Sequence, residues 1–124
     1  MKPLLGFLLC VVPLAGASRG YLVDAGCFQA EEKNVNPDDI NLPGAHDVGF
    51  EIRACYPRAN KTKKFMVVLS SGEFFALDAA GDAEASRVVS AAGRPKKGQD
   101  RLAVNISGTV AGKTIHVDSL SPAR

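Results

Sequence analysis

The chain has 124 residues, 46% of them hydrophobic, with 15 basic and 13 acidic side chains and a formal net charge of +2. That is enough for one domain with a modest core, and a charge so near zero excludes long-range steering toward nucleic acid or anionic lipid. Trp is absent and Tyr occurs twice, so large aromatic platforms for stacking bases or sugars are scarce.

Met1-Lys2 gives a short positive start, and Leu4 to Leu14 is an almost unbroken apolar run. Ala15-Gly16-Ala17 then places small residues where a signal peptidase reads them. This is the pattern of a secretory signal peptide, and the run is too short to span a bilayer as a mature helix. The expected organisation is a signal peptide over 1–17 and a single domain over 18–124, exported to the periplasm or secreted. Cys10 goes with the leader, and it follows Phe7-Leu8-Leu9 rather than the small residues of a lipoprotein signal. Cys27 and Cys55 remain, and an even pair in an oxidising compartment predicts a disulfide bond.

Tyr21-Leu22-Val23 reads as a short strand that Gly26 interrupts. Residues 29 to 49 hold Asn34, Asn36, Pro37, Asn41, Pro43, Gly44 and Gly49 with no steady apolar period. They are expected to form a long loop, with at most a helical turn near Pro37-Asp38-Asp39-Ile40. Such a loop in a compact domain is either functional or tied down, and the Cys27–Cys55 bridge would tie it. Lys64 to Leu69 and Glu73 to Leu77 predict a hairpin turning at Ser71-Gly72. A helix is expected from an N-cap at Asp82, with Ala85, Val88, Val89 and Ala92 on its inner face, stopping at Gly93 before Pro95. Leu102, Val104 and Ile106 alternate with polar or small residues, and Gly108 marks a bulge or bend. After a turn at Ala111-Gly112, Ile115 and Val117 alternate in a last strand.

The expected fold is mainly β with one α-helix, in the order β-β-β-α-β-β. That is the order of a small five-stranded OB-like Greek-key β-barrel. The segments Gly20 to Cys27, Val67 to Leu77 and Val104 to Leu120 resemble small exported bacterial proteins with an OB-like barrel and no assigned biochemical activity. The resemblance covers both ends of the mature domain and not the loop between. It implies an architecture and leaves the function open.

Two thiolates and an imidazole suit a soft metal ion, so Cys27, His46 and Cys55 make one conceivable metal- or thiol-dependent centre. They lack a close ligand pair and a fourth ligand, and a structural disulfide with a solvated histidine is the plainer account. His116, between Ile115 and Val117, should face away from the core. No serine stands in a G-x-S-x-G elbow, and the neighbouring acids Glu31-Glu32 and Asp38-Asp39 do not form a catalytic pair. No catalytic constellation and no cofactor are expected.

The basic run Arg58, Lys61, Lys63 and Lys64 leads into the second strand, with Phe65 beside it. Arg94, Lys96 and Lys97 make a second cluster. An OB barrel binds on the face of its second and third strands, flanked by its first and last loops. That geography would join the loop after Cys27, the run Arg58 to Lys64 and the turn at Ala111-Gly112. In a cytoplasmic protein such a face with Phe65, Phe74 or Phe75 would suggest single-stranded nucleic acid, but export argues against it. The expectation is a non-catalytic binding or accessory module whose partner is an anionic glycan, a lipid head group or an envelope protein. A purely structural role in envelope stability is the remaining alternative, with the charges serving solubility.

Overall fold

Alternating side chains build Leu102–Ala111, and burial on both faces shapes Phe65–Leu69. A computed structural model describes residues 11–13, 17–33, 48–96 and 98–123. In chain order these form β1 (Val11–Pro13), β2 (Ser18–Asp24), α1 (Ala25–Lys33), α2 (Val48–Ala54), β3 (Phe65–Leu69), β4 (Phe74–Leu77), α3 (Ala79–Ala92), β5 (Leu102–Ala111) and β6 (Thr114–Pro122). The protein is mainly β, and β2 to β6 close into a five-stranded barrel in the order β5-β2-β3-β4-β6, with β6 pairing back onto β5. The seam between β4 and β6 is parallel, with Leu77 opposite Ile115. The other pairings are antiparallel. The short β1, within the expected leader, pairs with Thr109 to Ala111 of β5. The barrel itself begins at Ser18 and closes without β1.

Leu22, Phe65, Val67, Phe75, Leu77, Leu102, Val104, Ile106, Ile115 and Leu120 fill the barrel interior, and Ala85, Val88 and Val89 of α3 seal it. Leu102, Val104, Ile106 and Ile115 are buried as their alternation predicts, while Val117 and Leu69 are half-buried against the same cluster. A second cluster lies outside the barrel wall. Val23, Met66 and Val68 point outward there and are covered by Ala25 and Phe28 of α1, Ile52 of α2 and Cys55. Both faces of β3 are therefore buried, which explains its continuous run of apolar residues.

The first connection differs from the expected loop. Residues 25–33 are helical because the Asp24 carboxylate accepts a hydrogen bond from the Cys27 amide at 2.9 Å, an N-cap for α1. Ala25 and Phe28 then anchor one face. Residues 48–54 form a second short helix, so three helices stand among the described residues instead of one. The turn expected near Pro37 to Ile40 falls outside them.

The third helix starts earlier than its sequence suggests. Asp78 is the N-cap, accepting from the Gly81 amide at 2.8 Å, and Asp82 lies within the first turn. Asp82 instead accepts from the Phe65 amide at 3.0 Å, which pins the helix to β3. Burial pushes the Asp82 carboxyl above its ordinary value, against the opposing pull of that hydrogen bond and of Lys64. Gly81 is required by packing, since a Cβ would stand 2.5 Å from a Val117 methyl. Gly108 is a similar case: the register slips between Ser107 and Gly108, and a Cβ there would collide with the His116 carbonyl. The helix ends at Gly93, as expected, with a positive φ of 71° that favours glycine, while Ala92 is exposed.

Asp78 ties three elements together. Its Oδ1 also accepts from the Val117 amide at 3.3 Å, and its Oδ2 lies 3.5 Å from His116 Nδ1. Partial burial raises its pKa, but the two backbone hydrogen bonds and the nearby His116 outweigh this and leave it below 3.8. A carboxyl depressed in the folded state stabilises above its unfolded pKa, and that stability is lost as pH falls through the folded pKa. Asp78→Ala should therefore cost about 1 kcal/mol at neutral pH. The difference from the parent should shrink as pH drops below about 4. Urea melts of both proteins from pH 7 to pH 2.5 measure this, and a difference that stays constant across the range would refute the assignment.

Candidate functional site

Cys27 on α1 and Cys55 just after α2 are joined by a disulfide, with an S–S distance of 2.00 Å and Cα atoms 5.5 Å apart. The bridge staples α1 and α2 to each other and, through the hydrogen bond from the Asp24 amide to the Cys55 carbonyl at 2.9 Å, to the end of β2. The centre built on Cys27, His46 and Cys55 is corrected by this bond, since bridged sulfurs supply no thiolate ligands. His46 lies outside the described residues.

A tight turn follows the bridge. The amides of Lys61 and Thr62 both donate to the Arg58 carbonyl, at 3.1 and 2.9 Å, and Asn60 takes a left-handed conformation with φ 66°. Asn tolerates that region better than most residues. Thr62 is buried, and its hydroxyl accepts from the Arg58 amide at 3.0 Å and donates to Asp24 Oδ2 at 2.7 Å. Asp24 thus uses one carboxylate oxygen to cap α1 and the other to hold this turn.

Between the disulfide, the turn and the end of α3 lies a cavity of about 750 Å³. Much of its wall is apolar: Ala54, Tyr56, Pro57, Ala59, Pro95 and the bridged cysteines. Arg58, Lys61 and Arg94 supply three positive charges, and Asp24 supplies one negative. The three cations are exposed, and among the described residues none forms an ion pair. Half-buried Tyr56 packs against the barrel cluster, and its burial pushes the phenol above 10. It is thus a neutral hydroxyl on an apolar ring at physiological pH.

The cavity only partly matches the expected face. Arg58 and Lys61 line it, whereas the exposed Lys63 and Lys64 lie outside its wall, and so does the turn at Ala111-Gly112. Phe65 lies inside the barrel at 2% exposure and reaches no ligand. Its place is fixed by the phase of β3, which turns Phe65 and Val67 inward together. Phe75 is also in the core. Phe74 is packed edge-on against Phe28, with ring centroids 5.0 Å apart, and the Lys113 ammonium sits 4.7 Å from its centre. None of the three offers an open stacking surface.

Arg94 reaches the site from the second basic cluster. The sequence marks that cluster, but it stands 36 positions from Arg58 and nothing in the spacing joins the two. Nothing in the sequence assigned Tyr56, Asp24 or Thr62 to a ligand site. Elsewhere, His116 is exposed on β6 as its register predicts. The hydroxyls of Ser107 and Ser119 bond to each other at 2.6 Å across β5 and β6. No helix among the described residues is long and apolar enough to cross a membrane. The chain matches no protein-family model, no curated protein and no solved structure.

Proposed function

We propose that the protein is an exported, non-catalytic binding module of the OB-like Greek-key type, and that it takes an anionic partner at the cavity beside the disulfide. The observation that carries this reading is the convergence of Arg58, Lys61 and Arg94, unpaired among the described residues, on one concave site. A cavity of this size is in the range of small-ligand sites. The barrel type is supported by the pairing of consecutive strands β2, β3 and β4, the parallel seam to β6, and a helix between β4 and β5. An OB-like barrel is also the architecture that the sequence resemblance implies. Export is supported by the leader pattern and by the disulfide, a bond that persists in oxidising compartments.

The site is displaced from the one an OB barrel ordinarily uses. The outward face of its second and third strands, here β3 and β4, carries Met66 at 5% and Val68 at 1% exposure beneath α1 and α2. The protein's own first connection fills that face, and the cavity opens at its margin, against the disulfide.

The triple variant Arg58→Ser, Lys61→Ser, Arg94→Ser tests this reading. Phosphatidylglycerol vesicles, heparin and inorganic phosphate serve as probes for the three kinds of anion. The parent should bind at least one of them, more weakly as salt rises, and the variant should lose at least ten-fold in affinity. Its melting temperature should barely move, since exposed charges contribute little to stability. Undiminished affinity would remove the cavity as the site, and no binding by the parent would leave a structural role.

A further inference from the structure

Resting on the cavity as the binding site, we propose that its ligand is a single amphiphile, an anionic head on an apolar tail, held as a monomer with the tail inside. The division of the wall carries this. The cations Arg58, Lys61 and Arg94 are exposed, so a phosphate or carboxylate beside them keeps part of its hydration and meets positive charge. The buried Pro57, the half-buried Tyr56 ring and the bridged cysteines offer surface with few hydrogen-bonding groups.

A free glycan fits poorly, because each hydroxyl taken out of water needs a partner. The carboxylate in the wall, Asp24, already accepts from Cys27 and Thr62 on its two oxygens. Asp24 also carries a negative charge and is less exposed than the three cations. It therefore repels an anionic head from the interior and favours the orientation with the head beside the exposed cations. A concave site of about 750 Å³ accommodates a chain, which a flat bilayer surface does not present. The proposal is thus for an extracted molecule rather than for adhesion to a membrane.

Alkyl phosphates of increasing length test it by calorimetry on the folded, oxidised protein: inorganic phosphate, then butyl, hexyl and octyl phosphate, with uncharged octyl glucoside and intact phosphatidylglycerol vesicles alongside. Affinity should rise about four-fold for each added methylene that is buried. Octyl glucoside should bind at least ten-fold more weakly than octyl phosphate. The triple variant should lower the whole series while keeping its dependence on length. A flat series, or vesicle binding without binding of the soluble alkyl phosphates, overturns the amphiphile but leaves an anion site intact if the triple variant still abolishes it. A series unchanged in the triple variant overturns the cavity itself.

Discussion

Ile115→Ala should destabilise the protein by about 2–5 kcal/mol, the range for removing a large aliphatic side chain from a close-packed core. Ile115 is fully buried and sits where the barrel closes, opposite Leu77 across the parallel seam and opposite Val110 across the β5–β6 ladder. Truncation leaves a void between two sheet seams that cannot both move inward, so the upper half of the range is expected. Leu102→Ala, at 5% exposure near the opposite end of β5, should fall in the same range. Asn105→Ala, exposed on β5 between buried neighbours, is the control and should stay within about 0.5 kcal/mol. Chemical denaturation of the three variants measures all of this. A loss below 0.5 kcal/mol at Ile115 would mean that β6 lies one residue out of register.

Opening the disulfide should have a comparable effect by a different route. Cys27 and Cys55 are 28 positions apart, and closing a loop of that length removes about 3–4 kcal/mol of chain entropy from the unfolded state. Alanine is the replacement of choice, because a serine hydroxyl at buried Cys55 would add an unrelated penalty. At roughly 3–5 °C per kcal/mol, between the values for smaller and larger domains, Cys27→Ala/Cys55→Ala should melt about ten degrees or more below the parent. Reductant should lower the parent by a similar amount and leave the variant unchanged. Insensitivity of the parent to reductant would show that the thiols are free. Amide exchange should locate the loosening at α1 and α2, whose cover over Met66 and Val68 depends on the staple.

The sequence was most readable where one side of a strand faces the core and the other faces water. Leu102, Val104, Ile106 and Ile115 alternate with polar or small neighbours, and the structure buries each of them. The same logic was uninformative for Phe65 to Leu69, because helices cover the outer face and both phases are apolar. Phe65 beside a basic run looked like a residue at a binding rim, yet its phase with Val67 turns it inside. The start of α3 misled for a local reason: Gly81 resembles a helix breaker just before Asp82, but tight packing against Val117 is what demands glycine there. The first helix was hidden because only Ala25 and Phe28 anchor it. The cavity was half visible. Arg58 and Lys61 stood out as a cluster, but Arg94 joins them only through closure of the barrel, which no spacing rule encodes.

Barrel closure also dictates an order of assembly. Strand β2 is hydrogen-bonded on one side to β3 and on the other to β5, so Leu22 pairs with Val67 and with Leu102. The second of these partners is made 80 residues later. Until β5 and β6 have been synthesised, β2 and β4 are both open edges and the interior has no lid. Contacts of such long sequence separation form slowly, since loop closure precedes any reward from packing. An incomplete chain of this design cannot close its barrel. For a protein proposed to pass through a membrane as an extended thread, that delay keeps the substrate of the export channel threadable until its last strand has been made.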